Sequence, residues 1–260
     1  MTIEHRVEAE AFEPDYSGHE FTEDDIERGA HRTFVGGVWG THGARQLDYL
    51  VDQGLQPQHR LVDVGCGAFR AGRHFIDHLE PGNYYGVDAN HSLIQAGYDV
   101  ELTDAQRERT PEAHLRANDR FDVDFGVLFD YAIAQSVFTH VSLNHIRLCL
   151  YRLGKSMELG GQFYATWFIR GDRTPLDHIG PSKSGKPFFT EKNVFWYYRK
   201  DTEWVADPKT WRVEWIGDWG HPAGQQMVRY VRRDRGPGPV RSRGGLVTRG
   251  RRWAARRIAP

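Results

Sequence analysis

From residue 59 to residue 169, short apolar runs alternate with stretches of helical periodicity, and this alternation restricts the fold more than any other feature. "HRLVDVG" (59–65) reads as a strand and "AGRHFIDHL" (71–79) as a helix. "NYYGVDA" (83–89) and "SLIQAGYDVEL" (92–102) repeat the pair. "HLRAND" (114–119) reads as a short third strand. "FDYAIAQS" (129–136), "LNHIRLCLYRLGKSM" (143–157) and "LGGQFYATWFI" (159–169) read as strand, helix and strand. The strands are apolar nearly throughout, as they must be when both faces of a sheet are covered. The pattern predicts an α/β fold with a mostly parallel sheet and helices on both faces. "FFTEKNVFWYYRK" (188–200) reads as a helix. "TWRVEWIGDW" (210–219) and "QQMVRYVRR" (225–233) read as a closing strand pair, which adds an antiparallel C-terminal strand.

The ends differ from this centre. Residues 1–20 are acidic and mixed and read as a flexible N-terminus, wrong in composition for a signal peptide. Residues 21–54 form a helical cap: Thr22 starts one helix over "EDDIERGAHRTF", and Thr41 starts a second over "HGARQLDYLVDQ". The second helix spaces Leu47, Leu50 and Val51 along one face, with Gly54 at its C-terminal cap. One domain is expected over 21–231, with a loop of lid type at about 171–190 around "HIGPSKSGKPFF". Residues 232–260 carry ten arginines and one aspartate, so net +9, and the chain total of −1 leaves −10 for the rest. This Arg-rich tail reads as disordered. It is either a solvated extension, the favoured reading, or an anchor for nucleic acid, an acidic surface or an acidic partner. Nothing in it resembles a folded nucleic-acid module.

No run of about 18 apolar residues occurs, so no membrane span is expected. The two cysteines, Cys66 and Cys149, have no framework spacing and read as free thiols of a reducing, cytoplasmic compartment.

The chemistry starts in "LVDVGCGAFRAGRHF" (61–75). A strand enters a glycine turn and then a helix, the arrangement that brings backbone amides close to a ligand. A dinucleotide fingerprint needs a third glycine, and Arg70 stands in its place. Asp63 at the strand end would repel a pyrophosphate but can orient an amine. Asp88 ends the second strand, 21 residues after Gly67, where an acid accepts hydrogen bonds from a ribose diol. "VDVGCG" is similar to the first signature motif of the S-adenosylmethionine-dependent methyltransferases with a Rossmann-like sheet. That resemblance covers about residues 34–170 and makes S-adenosylmethionine the expected cofactor.

The resemblance also implies roles. Asp63 would hold the amino end of the cofactor, and Gly65, Cys66 and Gly67 would pass along its methionine part. Asp88, with Ala89 beside it, would take the ribose. Asn118 and Asp119 would lie near the adenine. Gln135 and Ser136 would line the methionine side, Arg70 would pair with the carboxylate, and Trp39 would close over the cofactor. For Arg70 and Trp39, a surface arginine and a core aromatic are equally open.

For the acceptor, "AQSVFTHV" (134–141) lacks the Asn/Asp-Pro-Pro-aromatic motif of base-methylating relatives, so nucleic acid is not the expected substrate. It also lacks the acid pair of a catechol-type magnesium site. Magnesium is compatible, through Asp218 for instance, but no spacing argues for it. Natural-product sugar methyltransferases place a base histidine after the fourth strand, and by that resemblance His140 is the leading candidate. His221, paired with Asp218 in "GDWGHP", is the next. His145, Trp167 and Trp219 are expected near the acceptor, since aromatic rings suit the C–H face of a pyranose. The segments "FDYAIAQSVFTHV", "GGQFYATWF" and "GDWGHPAGQQM" resemble actinobacterial sugar O-methyltransferases, the group that includes enzymes of methylmannose polysaccharide synthesis. The expected function is O-methylation of a sugar hydroxyl on a small-molecule or oligosaccharide acceptor, by a monomer or a homodimer. The alternatives are a non-sugar metabolite as acceptor, a nucleic-acid-associated protein that uses the tail, and an NAD-linked enzyme.

Overall fold

The computed structural model describes residues 16–175 and 194–233. The Arg-rich tail from residue 234, the first 15 residues and most of the expected lid (176–193) lie outside the described residues. No helix among the described residues is long and apolar enough to cross a membrane.

The chain opens with α1 (Glu23–Glu27) and α2 (Ala30–Phe34), where one helix was expected. Thr22 does cap the first, in a box closed by Asp25. Gly29 then adopts a left-handed conformation (φ +73°) and breaks the run. In α3 (His42–Asp52) the buried face is His42, Gly43, Gln46 and Leu50, while Val51 is exposed. Leu50 and the partly buried Leu47 pack on the core as expected, and Val51 is corrected as a core-facing residue. Two polar side chains face inward because α3 covers a cavity as well as the core.

The alternating centre follows the expected order: β1 (Leu61–Val64), α4 (Gly72–His78), β2 (Tyr84–Asp88) and α5 (His91–Val100). An unforeseen short helix, α6 (Asp104–Arg109), comes next, although its Thr103–Gln106 capping box stands in the sequence. Then follow β3 (Leu115–Ala117), β4 (Phe129–Ala134), α7 (Leu143–Ser156) and β5 (Met157–Trp167). A two-residue strand β6 (Ile169–Arg170) pairs with β7 (Tyr197–Tyr198), which runs into α8 (Arg199–Trp204). The expected helix at 188–200 is therefore corrected: residues 188–193 lie outside the described set, and helix begins only at Arg199. β8 (Trp211–Asp218) and β9 (Gln226–Arg232) close the fold as an antiparallel pair.

The seven-stranded sheet has the order β3-β2-β1-β4-β5-β9-β8. β1 pairs parallel with β2 and with β4, and β9 alone runs antiparallel, between β5 and β8. Both faces are covered, as the continuous apolar strands require. Val62, Val64 and Ala132 pack with Ile146, Leu150 and Leu153 of α7 on one face. Leu61, Ile133 and Tyr164 pack with Leu50, Phe75 and Ile94 of α3, α4 and α5 on the other. The strand order reverses between β1 and β4, and there the C-terminal strand ends open a crevice.

Candidate active site

A cavity of about 760 Å³ lies at those strand ends. It brings together Asp63, Gly65, Cys66, Gly67, Arg70, Asp88, Ala89, Asn118, Asp119, Gln135, Ser136, His140, His145 and His221, all expected from the sequence.

Its first half is built by the turn after β1. Gly65 (φ +79°) and Gly67 (φ +54°) hold conformations that L side chains avoid. A Cβ on Gly65 would also stand 2.3 Å from Val137. Asp88 gathers this turn: its carboxylate accepts the Gly67 N–H and the Asn90 N–H, each at 2.9 Å. Burial pushes its carboxyl above the ordinary range, and the N–H groups of Asn90, Gly67 and Ala89 act against that. Asp63 is 3 % exposed and accepts the Tyr84 hydroxyl at 3.1 Å. Burial pushes its pKa up to about 7, opposed by the Tyr84 hydrogen bond, reinforced by Asp88 and eased by Arg70. Burial also raises the Cys66 thiol, which packs as a small apolar group over Gly86. Asn118 shapes its own loop by accepting the Arg120 and Asp122 N–H groups.

Arg70 lines the cavity and is half-buried, so it is not a surface arginine. Its Nη1 donates to the carbonyls of Val35 (2.8 Å) and Gly37 (3.0 Å), so it ties the α2–α3 turn over the cavity mouth. Trp39 does not line the cavity and is corrected as a closing residue. It lies between the guanidinium groups of Arg32 and Arg73, 5.3 and 5.5 Å from its ring, and Phe34, Val35 and Val38 of the same segment reach the cavity instead.

The second half follows β4. Ser136 adopts φ +61°, a strained turn for a non-glycine residue. It is held by Thr166 Oγ1, which accepts its N–H at 2.8 Å, and by Gln225, whose amide nitrogen donates to its Oγ at 2.9 Å. Gln135 faces His221 Nε2 at 2.9 Å, and His221 Nδ1 accepts the Ala223 N–H at 3.1 Å. With Nδ1 used as an acceptor, the neutral His221 carries its proton on Nε2, the atom that stands beside the Gln135 amide. His42 packs edge-on against His221, with ring centres 4.9 Å apart. Burial, with the nearby Arg70 charge, pushes both histidines down to about 4. The one lone pair of neutral His221, on Nδ1, is thus spent on the Ala223 N–H, which makes it a poor base.

His140 lies one turn beyond, half-buried, with its Nδ1 2.8 Å from the Tyr16 hydroxyl and its ring edge-on to the Tyr16 ring. His145 faces Phe121 at the cavity wall, in the first turn of α7. Three expected residues lie elsewhere. Asp218 is exposed and accepts the Gly220 N–H in a local turn. Trp167 is fully buried core, edge-on to Phe138 and Tyr197, and Phe168 reaches the cavity in its place. Trp219 packs on Tyr49 and stands behind the His42–His221 pair without lining the cavity. Each was offered by composition in a strand or turn, but core packing and turn geometry send it away.

Sequence reasoning missed Tyr16, Asn90, His42 and Gln225. Gln225 and His42 carried no motif. Asn90 carried the ordinary signal of a helix N-cap, which conceals its further bonds. Tyr16 sits in a segment whose composition reads as flexible, and only its seat against α5 gives it meaning. Among the described residues no group of three His, Cys, Asp or Glu side chains gathers as a metal set.

Residues 62–163 match the family model described as a methyltransferase domain. Three solved structures share the fold. The amino pentose methyltransferase CalS10 from Micromonospora echinaspora, bound to S-adenosylmethionine, is 16% identical over 82% of this chain and 99% of its own, with a TM-score of 0.56. The sugar N-methyltransferase KedS8 from Streptoalloteichus is 17% identical over 84% of this chain and 95% of its own, with a TM-score of 0.56. The magnesium protoporphyrin IX methyltransferase from Synechocystis, also solved with S-adenosylmethionine, is 13% identical over 83% of this chain and 86% of its own, with a TM-score of 0.50. The fold is that of the Rossmann-like methyltransferases, and the matched segment makes this chain a methyl-transferring enzyme.

The residues present fit S-adenosylmethionine. Asp63 is a buried acid on the cavity wall, only partly compensated by the Tyr84 hydroxyl and the Arg70 charge, which suits an ammonium. Asp88 faces the cavity with each oxygen able to accept a second bond, which suits a diol.

Proposed function

We propose that this chain is an S-adenosylmethionine-dependent O-methyltransferase whose acceptor is a sugar hydroxyl. One observation carries the reading. The Tyr16–His140 pair stands in the same cavity as Asp63 and Asp88, so a polar acceptor site and a cofactor seat open into one space. When bound, S-adenosylmethionine supplies a methyl group on a sulfonium, ready for in-line displacement. Asp63 holds the amino end, Asp88 the ribose, and the Asn118–Asp119 loop borders the adenine. Gln135, Ser136 and the neutral His42–His221 pair close the methionine side. His140 takes up the proton of the acceptor hydroxyl as general base. Phe168, stacked on Trp196 at 4.3 Å, offers an aromatic face for the C–H side of a pyranose.

The sugar methyltransferases among the structural matches support this acceptor class, and the actinobacterial resemblance in the sequence points to methylated mannosides within it. The same matches favour one second reading: CalS10 and KedS8 are methyltransferases of an amino pentose and of a sugar nitrogen, so an amino-sugar nitrogen is the alternative acceptor atom.

The test is methyl transfer from labelled S-adenosylmethionine onto sugars, amino sugars and phenols, by wild type and His140→Ala. Transfer to a sugar hydroxyl is expected. His140→Ala should lower turnover by about 10²–10⁴, the range for loss of a general base. S-adenosylhomocysteine affinity should stay within a few-fold. Transfer to phenols alone would end the sugar reading, and wild-type turnover in the variant would move the base elsewhere.

A further inference from the structure

Asn90 does more than cap a helix. Its side chain is wholly buried, and every hydrogen-bonding group on it is used. Its Oδ1 accepts the Leu93 N–H at 2.8 Å, the ordinary cap of α5. Its Nδ2 donates twice outward, to the carbonyl of Tyr16 (2.8 Å) and to that of His19 (2.7 Å). Its own N–H donates to Asp88 Oδ1 at 2.9 Å. One residue thus joins the carboxylate at the end of β2 to the segment 16–21 that crosses the cavity.

Other contacts seat the same segment. The Phe21 N–H donates to Ser92 Oγ at 2.9 Å, and His19, Phe21 and Tyr16 gather around Phe34, with ring centres 5.2, 5.4 and 6.0 Å away. At its far end the Tyr16 hydroxyl meets His140 Nδ1 at 2.8 Å. A continuous bonded path therefore runs Asp88, Asn90, Tyr16, His140, from one end of the cavity to the other. A cap needs only the Asn90 oxygen, which a serine supplies equally well. The two outward donations are surplus to capping, and both serve the segment that holds His140.

We propose that Asn90 is a positioning residue which, through Tyr16, couples occupancy of the cofactor end to the orientation of His140. The inference rests on Asp88 and His140 serving the cofactor and the acceptor as set out above. A ligand seated at Asp88 favours one arrangement of the 88–90 turn, and Asn90 passes that preference to the Tyr16 backbone. The Tyr16 hydroxyl then fixes one rotamer and one tautomer of His140. Thermodynamic reciprocity requires that loosening this path also weakens the ligand that tightens it.

The test needs no acceptor. Long-range proton–nitrogen spectra of the full chain report the tautomer and titration of each imidazole, and His140→Gln identifies the His140 signals. They are recorded with and without S-adenosylhomocysteine for wild type, Tyr16→Phe and Asn90→Ser. Tyr16→Phe keeps the ring contacts and removes only the hydroxyl. Asn90→Ser keeps a cap oxygen and removes the two outward donors.

In wild type, S-adenosylhomocysteine should shift the His140 titration midpoint or tautomer balance. Both variants should lose that response. Calorimetry should show both variants binding S-adenosylhomocysteine more weakly than wild type, as reciprocity requires, Asn90→Ser by about fivefold, the scale of one lost hydrogen bond. A purely packing role for Tyr16 predicts an unchanged response in Tyr16→Phe, and that result overturns the coupling. So does a wild-type His140 that ignores a bound ligand. Failure of S-adenosylhomocysteine to bind wild type would instead overturn the cofactor reading itself, and the coupling with it.

Discussion

Asp63 shows how one residue carries both fold and chemistry. A carboxylate at the end of a fully buried strand is costly unless something compensates it. Here the Tyr84 hydroxyl compensates in part, and the group is left with a pKa of about 7. Near neutral pH, the ligand-free enzyme therefore holds a fraction of Asp63 protonated. An ammonium placed beside it favours the carboxylate, so binding should expel that proton. Calorimetry of S-adenosylhomocysteine at pH 6.5–7, in buffers of low and high ionisation enthalpy, should show net proton release of a fraction of one proton per site. Asp63→Asn should abolish the buffer dependence and weaken binding. Buffer-independent heats in wild type would show that Asp63 does not meet the amino end. The acid at this position was legible in the sequence, because an acid at a strand end before a glycine turn argues against a pyrophosphate. Its titration was not, since that depends on Tyr84 and Asp88 standing beside it.

At the scale of elements, α3 was placed correctly by its Thr41 start and Gly54 stop, yet its inner face only in part. Apolar spacing selected Leu47 and Leu50 rightly and Val51 wrongly, and it missed His42, Gly43 and Gln46, which the helix also turns inward. Gly43 is the contact point with the turn before α4: a Cβ there would stand 2.0 Å from the Arg70 carbonyl oxygen. Gly43→Ala must therefore push α3 away from the turn that holds Arg70. The expected cost is about 1–3 kcal/mol, the usual range for overpacking, against the gain an alanine brings to an exposed helix site. Denaturant titration of the variant checks this, and unchanged stability would mean that α3 moves without cost. The aromatic residues near β5 teach the same lesson. Trp167 and Phe168 are adjacent, yet the first ends β5 inside the core and the second, just past the strand end, reaches the cavity.

For the whole molecule, buried ionisable groups make stability depend on pH in two opposing ways. His42 and His221 fall to about 4 from 6.5, so between those values the unfolded chain binds more protons than the folded one. Their contribution lowers stability as pH falls through that window. Asp63 rises to about 7 from 3.8, so the folded chain binds more protons there, and its contribution raises stability as pH falls. The paired variant His42→Gln, His221→Gln should therefore lose less Tm than wild type between pH 6.5 and 4, and Asp63→Asn should lose more. Thermal melts across that range check both signs, and parallel curves for all three proteins would refute the assignment.

The sequence by itself determined the strand–helix alternation from β1 to β5, the closing strand pair, and the two acids at the ends of β1 and β2. These follow from local periodicity and from residues set at fixed distances along the chain, so no folded structure is needed to see them. Only the tertiary structure decided which aromatics face the cavity, that Arg70 ties a turn, that His221 spends its one lone pair on the fold, and that Tyr16 reaches His140. Those facts depend on contacts between residues as much as 124 positions apart, as Tyr16 and His140 are. Packing in three dimensions selects such pairs, and no spacing along one dimension encodes them.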